Sequence, residues 1–283
     1  MIKIQKGNKN VGIEEHIKKE CANEYKLLAR IIDMNDIYQK RLDTENKCCR
    51  YPEIRTYKDN KVEIKSDNGY INASWIHIPT HRSFIATQGP LESTIEDFWE
   101  MCYSYDIKVI VMLCKLDENY KEKCANYWNV NIKNYKIEQS KETNKLKEGL
   151  KLRNFSLTNK KNGISKNILQ IHFTCWEDHS IPDSSYDKII DIIDLIDQNK
   201  GMSPVVVHCS AGIGRTGTFI GLYNLYHEIL AQINNDKIRE IKFSIMNLVR
   251  KLKEMRLYLV ENENQYSFLF EFANRLLKEK NLD

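Results

Sequence analysis

One short stretch, VVVHCSAGIGRTGTF from Val205 to Phe219, constrains the fold more than any other part of the sequence. Its three consecutive valines predict a buried strand, and its glycines permit a tight turn. From Thr216 onward, Leu222, Leu225 and Ile229 recur at helical spacing, which predicts a helix. A strand, a glycine-rich loop and a helix N-terminus form an anion site, because the loop N–H groups and the helix dipole both attract negative charge. The stretch therefore predicts a phosphate-binding loop.

Two kinds of phosphate site fit this loop. Its tail, GIGRTG, matches the Gly-x-Gly-x-x-Gly turn of dinucleotide-binding proteins, in which an acidic residue about 20 positions later binds the ribose. Lys237 stands near that position with Asp236 beside it, so this test is ambiguous. The dinucleotide interpretation stays open on the glycines alone.

The head of the stretch favours covalent chemistry. Cys209 lies where the strand ends and the loop amides converge, and such amides, together with the helix dipole, stabilise a thiolate. Arg215, in the first turn of the helix, can hold two phosphoryl oxygens with its planar guanidinium. A pyrophosphate held by a cofactor needs no nucleophile. The alternative for Cys209 is a small buried hydrophobic residue, the commonest role of a free Cys.

The composition favours one globular domain. At 283 residues and 42% hydrophobic, the chain can bury a large core. It has no apolar run long enough to span a bilayer, and its N-terminus, MIKIQKGNKNVG, lacks the apolar stretch of a signal peptide, so we expect a cytoplasmic protein without a membrane partner. The net charge of +4 is mild and argues against nucleic-acid binding. The eight cysteines show neither a disulfide framework nor a CxxC pair, so we expect reduced thiols and no metal.

Hydrophobic periodicity predicts a mixed α/β domain with a twisted sheet and helices on its faces. Helices are predicted over the ranges Ile13 to Ile32, Ser93 to Tyr105, Asp187 to Ile196, Phe243 to Tyr258 and Gln265 to Leu277. Strands are predicted around Val62 to Ile64, Tyr70 to Ile78 and Lys108 to Leu113, with β-hairpins between Tyr135 and Phe173.

The motif HCSAGIGRT resembles the signature loop of the tyrosine-specific, cysteine-based protein tyrosine phosphatases. Other motifs match that family in order, from CRY at Cys49 and GYINAS at Gly69 through ATQGP at Ala86, KCANYW at Lys123, WEDHSIP at Trp176 and ENENQY at Glu261. The resemblance implies an α/β (α+β) single domain with a highly twisted mixed β-sheet flanked by helices. The resemblance runs from about residue 20 to residue 278, and we predict an N-terminal tail over residues 1–12 and a catalytic domain over residues 13–283.

The resemblance also implies a mechanism without cofactor or metal. Cys209 attacks phosphorus and forms a cysteinyl-phosphate, while Arg215 and the loop amides hold the phosphoryl oxygens. Asp178, on a mobile loop, resembles the general acid that protonates the tyrosyl oxygen, although an ordinary loop carboxylate is the alternative. Thr216 is placed to hydrogen bond the departing sulfur, and His208 to tune the thiolate.

The resemblance places an aromatic wall at Tyr51, which makes the pocket deep enough for phosphotyrosine and too deep for phosphoserine. A tyrosine that merely packs in the core is the alternative. The other expected substrate-binding residues are Glu53, Ile54, His179, Ser210, Ala211, Gly212, Ile213 and Gly214. Lys123 and Glu118 match charged residues of a loop that approaches the acid loop and the signature arginine.

Four residues depart from the family pattern. Glu177 stands where Pro is usual, which removes a backbone restraint and adds a negative charge beside the acid. Glu53 replaces an Asp that grips the substrate main chain, and Tyr258 replaces a Gly at the pocket rim. Glu261 stands where a Gln helps to position the hydrolytic water, although Gln265 is retained.

Two functions of different classes follow. The first is an active phosphatase of phosphotyrosine-containing proteins in signalling, and the second is a catalytically weak or inactive phosphotyrosine-binding module of the same fold. We expect a monomer. The compact form resembles stand-alone phosphatases of insect-associated viruses such as bracoviruses, so such an origin is also an expectation.

Overall fold

The computed structural model describes residues 1–5, 16, 19–33, 40–43, 48–78, 82–182, 185–199, 201, 203–235 and 240–280. The strands are β1 (Ile2–Gln5), β2 (Ala73–Ile76), β3 (Phe84–Thr87), β4 (Val109–Met112), β5 (Asp117–Glu118), β6 (Lys121–Glu122), β7 (Tyr135–Lys147), β8 (Leu150–Asn159), β9 (Ser165–Phe173), β10 (Val205–His208) and β11 (Glu240–Phe243). The α-helices are α1 (Cys21–Asp33), α2 (Ile95–Ser104), α3 (Tyr186–Gln198), α4 (Gly214–Ile233), α5 (Ile245–Met255) and α6 (Glu263–Glu279).

Seven strands form one mixed sheet in the order β2-β3-β10-β4-β9-β8-β7. The four strands β3, β10, β4 and β9 run parallel, and β2, β8 and β7 extend the sheet antiparallel at its edges. Parallel strands are usually buried on both faces, and every residue of β3, β4 and β10 is buried. The predicted single domain with a mixed, twisted sheet and flanking helices is confirmed.

The position of β10 determines where the functional loop lies. It occupies the middle of the parallel strands, between β3 and β4, and its carboxyl end leads directly into α4. Ligands of α/β sheets bind outside the carboxyl ends of the strands, and this is the edge where the glycine-rich loop emerges. Helix α4 is buried over most of its length and packs against β3, β10, α5 and α6.

Close packing against α2 fixes Tyr127, whose hydroxyl lies 2.9 Å from His208 Nε2 at the end of β10. Its ring packs against Phe98 and Trp99 of α2 at centroid distances of 4.7 and 5.7 Å. The Trp99 indole N–H donates to the Tyr127 carbonyl at 2.7 Å. All three side chains are buried, so Tyr127 has little freedom to move.

The predicted helices are confirmed as α1, α2, α3, α5 and α6, with shifted ends. Part of the range predicted from Ile13 lies outside the described residues. The start predicted at Phe243 is wrong, because this residue ends β11 and Ser244 caps α5 by accepting from the Asn247 N–H at 3.3 Å.

The predicted strand around Val62 to Ile64 is wrong. Both residues are buried and Glu63 is exposed, which is the alternation typical of a strand. The Val62 N–H donates to the Ala73 carbonyl at 2.9 Å, but the segment forms only an isolated bridge to β2 at Lys61. Alternating burial therefore arises here from packing without a ladder of hydrogen bonds.

Strand β1 falls within the predicted tail, residues 1–12, and pairs antiparallel with β11. The boundary between tail and domain at residue 13 stays a prediction. The described part of the chain contains no helix that is both long and apolar enough to cross a membrane.

Candidate active site

The stretch from the end of β10 to the first residue of α4, residues 209–214, is called the signature loop here. It turns its carbonyl oxygens outward: that of Ser210 accepts from the Gly89 N–H at 2.9 Å, and that of Ile213 accepts from the Gly217 N–H at 2.9 Å. In a trans peptide the carbonyl and the following N–H point in opposite directions. The N–H groups of the loop therefore face inward and form the concave anion site predicted from the sequence.

Arg256 holds two further carbonyls of the signature loop outward. Its fully buried guanidinium donates to the carbonyl oxygens of Gly212 at 2.8 Å and Ala211 at 3.2 Å. The same group donates to Asn72 Oδ1 at 2.7 Å and Ser74 Oγ at 3.1 Å. Burial lowers the pKa of Arg256 to about 10, which still leaves it charged at neutral pH.

Gly212 is required at its position by both backbone conformation and space. Its φ is +71°, in the left-handed region that glycine adopts without a penalty. A Cβ atom at Gly212 would lie 2.2 Å from the carbonyl oxygen of Thr87 at the end of β3. The glycine thus lets the loop fold tightly against the neighbouring strand.

Arg215 lies in the first turn of α4, directly after the loop, with its side chain 1% exposed. Its Nη1 donates to Glu118 Oε1 at 2.7 Å and to the Trp176 carbonyl at 2.9 Å, and its Nη2 donates to Asp178 Oδ1 at 3.0 Å. Although burial opposes the charge, Cys209 and Glu118 raise the pKa of Arg215 above its ordinary value. The third nitrogen, Nε, is buried without a hydrogen-bond partner among the described residues, so its N–H remains for a ligand.

Asp178 lies on the loop of residues 176–182, called the acid loop here. Its carboxylate contacts Arg215, and its Oδ2 accepts from Lys123 Nζ at 2.5 Å. Burial would raise the pKa of Asp178, but the hydrogen bond from Lys123 and the charge of Arg215 outweigh it, so the pKa lies below its ordinary value. The carboxyl group is therefore ionised in the ligand-free protein.

The acid loop is also tied to the segment that precedes α6. His179 Nδ1 lies 3.4 Å from Glu261 Oε2, and its Nε2 lies 3.8 Å from Asp178 Oδ2. The Asn262 side chain donates to the His179 carbonyl at 3.2 Å. These contacts hold His179 at a φ of +56°, a conformation that is costly for a residue with a side chain.

Glu261 and Gln265 both reach the signature loop. A Cβ atom at Gly214 would lie 2.5 Å from Glu261 Oε2 and 2.9 Å from Gln265 Nε2. Gln265 Oε1 accepts from the Glu261 N–H at 2.9 Å, and its Nε2 is buried without a hydrogen-bond partner in the described part of the chain. Burial raises the pKa of Glu261, although the charges of His179 and Arg215 act in the opposite direction.

Tyr51 lies beside the signature loop, with its hydroxyl 3.0 Å from Ser210 Oγ. Ile54 is half-buried and donates its N–H to the Tyr51 carbonyl at 2.9 Å, so a tight turn carries both residues. Glu53 is exposed on the same turn. The structure thus places the predicted aromatic wall next to the anion site.

Thr216 and Cys209 are both buried, at 0% and 4% exposure. The Thr216 hydroxyl has no hydrogen-bond partner among the residues described, so the predicted bond to the Cys209 sulfur is not formed in this structure. The Thr216 hydroxyl is therefore available to hydrogen bond a ligand, or to hydrogen bond the Cys209 sulfur if the two groups move closer together.

The sequence pattern did not reveal the role of Arg256, because this residue falls within the helix predicted from Phe243 to Tyr258. Helix α5 ends at Met255, and Arg256 is extended with φ −146° and ψ 122°. The signal was the lone cation in the apolar run MRLYLV, since a cation among buried residues needs several acceptors. As for metals, no three His, Cys, Asp or Glu side chains of the described ranges are grouped to bind one.

A family model described as "Protein-tyrosine phosphatase" matches residues 45–275. The chain belongs to the protein-tyrosine phosphatase family. This membership removes the dinucleotide-binding interpretation, because GIGRTG belongs to the phosphatase signature loop and the start of α4. The viral origin receives no support from the comparisons.

Three relatives illustrate the similarity. The mouse tyrosine-protein phosphatase non-receptor type 20 is 33% identical over 236 residues, which cover 81% of this chain and 53% of that protein. Human receptor-type tyrosine-protein phosphatase alpha is 34% identical over 284 residues, covering 96% of this chain and 33% of that protein. A solved complex of a non-receptor type 18 phosphatase with phosphopeptides has a TM-score of 0.81 and 27% identity, covering 91% of this chain and 99% of that one. The chain spans about half the length of the mouse relative.

The contact between Glu261 and the signature loop generates a prediction. An ionised Glu cannot donate a hydrogen bond to a water molecule and repels phosphoryl oxygens, whereas Gln donates and is neutral. We expect Glu261→Gln to speed hydrolysis of a phosphorylated Cys209 by about 3- to 10-fold, since one hydrogen bond is worth about 1 kcal/mol. The gain should be largest above the raised pKa of Glu261 and vanish as the pH falls through it, because protonated Glu can donate.

Rapid-quench kinetics measure this step. The control is Glu263→Gln, which removes an exposed carboxylate two residues away. An equal response of both variants, or no pH dependence of the gain, would show that Glu261 does not act on the water.

Proposed function

We propose that this chain hydrolyses phosphotyrosine in proteins through a cysteinyl-phosphate intermediate. The observation that carries the proposal is the arrangement around Arg215: a buried guanidinium with a free Nε–H, next to a loop of inward N–H groups and in contact with Asp178. Cys209 lies at the start of that loop. Such a site holds a phosphoryl group against a thiolate and closes over it.

In the first step the Cys209 sulfur attacks phosphorus, the S–P bond forms, and the bond from phosphorus to the tyrosyl oxygen breaks. Arg215 and the loop amides hold the three equatorial oxygens as negative charge shifts onto them. The leaving oxygen takes its proton from Asp178. Because a bound phosphate brings negative charge beside Asp178 and engages Arg215, it raises the pKa of the carboxyl group and favours the protonated form.

In the second step water attacks phosphorus and the S–P bond breaks. Asp178, now ionised, accepts the proton of the water. The free Gln265 Nε2 is placed to orient that water, with Glu261 beside it. Thr216 supplies its unpaired hydroxyl to the departing sulfur. Each of these roles uses a polar group that lies at the loop.

The substrate class follows from the pocket wall. The Tyr51 hydroxyl lies 3.0 Å from Ser210 Oγ, and we propose that Tyr51, with Ile54 and His179, forms a wall that lets a phosphate on a long aromatic side chain reach Cys209. Glu53 on the exposed turn is placed to accept hydrogen bonds from the substrate backbone. The phosphopeptides bound to the non-receptor type 18 phosphatase support the same class.

A second candidate function is a phosphotyrosine-binding module with weak or no turnover. The lowered pKa of Asp178 favours it, because an ionised carboxylate cannot protonate the leaving oxygen. Turnover and binding measured on the same protein separate the two functions.

We further propose a cytoplasmic, monomeric protein that acts in signalling without nucleic-acid or membrane partners. The eight free cysteines are consistent with a reducing compartment. The net charge of +4 is small for a protein that binds a nucleic-acid backbone.

Replacing the nucleophile tests the mechanism. Cys209→Ser should lower hydrolysis of a phosphotyrosine peptide by at least about 1,000-fold, because a hydroxyl is a much weaker nucleophile. Peptide binding should persist, since Arg215 and the loop amides are unchanged. Steady-state kinetics and calorimetry measure the two quantities, with Cys175→Ser, an exposed cysteine, as the control. An active Cys209→Ser protein would refute covalent catalysis.

Removing the wall tests the selectivity. The wild-type protein should cleave phosphotyrosine peptides far faster than phosphoserine peptides, and Tyr51→Ala should lower that ratio on the order of 10-fold because the pocket becomes shallow. The matched control is Tyr120→Ala, which removes a fully exposed ring. A ratio near one for the wild type, or an unchanged ratio in Tyr51→Ala, contradicts the assignment.

A further inference from the structure

A row of buried polar side chains crosses the core from β8 to the residue before Cys209. The polar row consists of Arg153 in β8, Gln170 in β9, Tyr127 between β6 and β7, and His208 at the end of β10. Each is hydrogen bonded to the next. None of the four is more than 7% exposed. Buried polar groups destabilise a core unless all of their hydrogen bonds are made, and they polarise one another where those bonds are continuous.

The chemistry of the groups determines the direction of the first hydrogen bonds. A guanidinium can only donate, so Arg153 Nη1 donates to Gln170 Oε1 at 2.6 Å. The Gln170 amide therefore presents its Nε2, which donates to the Tyr127 oxygen at 2.5 Å. Burial keeps the pKa of Tyr127 well above its ordinary value, so the phenol retains its proton.

The last hydrogen bonds have the same direction. Burial lowers the pKa of His208 to about 4, so its ring is neutral and carries one proton at neutral pH. A carbonyl can only accept, so that proton lies on Nδ1, 3.2 Å from the Cys209 oxygen. His208 Nε2 then accepts from the Tyr127 hydroxyl at 2.9 Å, while the Met112 sulfur, at 3.9 Å, is the weaker acceptor.

Arg153 is itself held at the far end of the polar row. Its guanidinium lies 4.4 Å from the centroid of the Trp128 ring. Burial lowers the pKa of His172 to about 3, so this neutral ring donates from Nε2 to the Cys114 carbonyl at 2.7 Å and accepts from Arg153 through Nδ1 at 3.1 Å. The cation at the origin of the polar row therefore has a defined place.

We propose that Arg153 and Gln170 are positioning residues for Cys209, acting through Tyr127 and His208. Every bond of the polar row donates toward the Cys209 carbonyl, so the charge of Arg153 polarises the row and places its positive end beside the nucleophile. The hydrogen bond from His208 Nδ1 also holds the Cys209 carbonyl outward. The following N–H, that of Ser210, therefore points toward the anion site. The inference rests on the proposed function, which makes the Cys209 thiolate the reacting group.

Two substitutions of Gln170 test whether the polar row acts through the direction of its hydrogen bonds or only through packing. Gln170→Leu removes the central link, whereas Gln170→Glu keeps an acceptor for Arg153 but also accepts from Tyr127, whose hydroxyl then no longer donates to His208. The measurement is alkylation of Cys209 by iodoacetamide, followed by mass spectrometry of the peptide that contains it. We expect the rate at mildly acidic pH, relative to that at mildly alkaline pH, to fall about threefold in both variants, because a weaker positive end stabilises the thiolate less.

A double variant and a control complete the test. Arg153→Met should give the same fall, and combining it with Gln170→Leu should add nothing, because both break one row. Ile192→Ala, in a buried position of α3, controls for lost stability and should leave the ratio unchanged. Unchanged ratios in both Gln170 variants, or additive effects in the double variant, would overturn the inference. Alkylation needs no turnover, so a wild-type protein without phosphatase activity would refute the proposed function and leave this result standing.

Discussion

The direction of the peptide groups in the signature loop is the constraint on which the rest of the site depends. An anion site of backbone N–H groups exists only if the carbonyl oxygens of the same peptides are bonded elsewhere. Here carbonyl oxygens of the signature loop accept hydrogen bonds from the Gly89 N–H, from the first turn of α4 and from the buried Arg256. The position of β10 in the centre of the parallel strands brings all three within reach. The sheet thus supplies the surroundings that an isolated loop of this sequence would lack.

A second level of organisation is the balance of charge around Arg215. Glu118 and Asp178 neutralise this buried cation, and Lys123 shares Asp178 with it. A phosphate competes for the same cations, so its arrival weakens the ion pairs of Asp178 and changes the protonation that this carboxyl group prefers. Under the proposed mechanism, the substrate itself therefore shifts Asp178 from its ionised form toward the protonated form that donates a proton.

The local part of this site could be predicted from the sequence. The strand, glycine loop and helix around Cys209 and Arg215 depend on neighbours in the chain, and their chemistry follows from residue types. Contacts between distant segments could not be predicted. Arg256 looked like a helix residue, and the bond from Gln170 to Tyr127 joins residues 43 positions apart. The strand expected near Val62 failed for a related reason, since alternating burial does not determine whether a partner strand pairs along its length.

The central claim, that Cys209 becomes phosphorylated during turnover, is tested most directly by trapping the intermediate. A phosphotyrosine peptide is mixed with the wild-type protein, the reaction is quenched in acid within the first turnover, and the proteolytic fragments are analysed by mass spectrometry. The account predicts a phosphoryl group on the Cys209 fragment that forms together with the first tyrosine product and decays as phosphate appears. Release of phosphate with no phosphorylated Cys209 at any time, or bound peptide that is never cleaved, would contradict it.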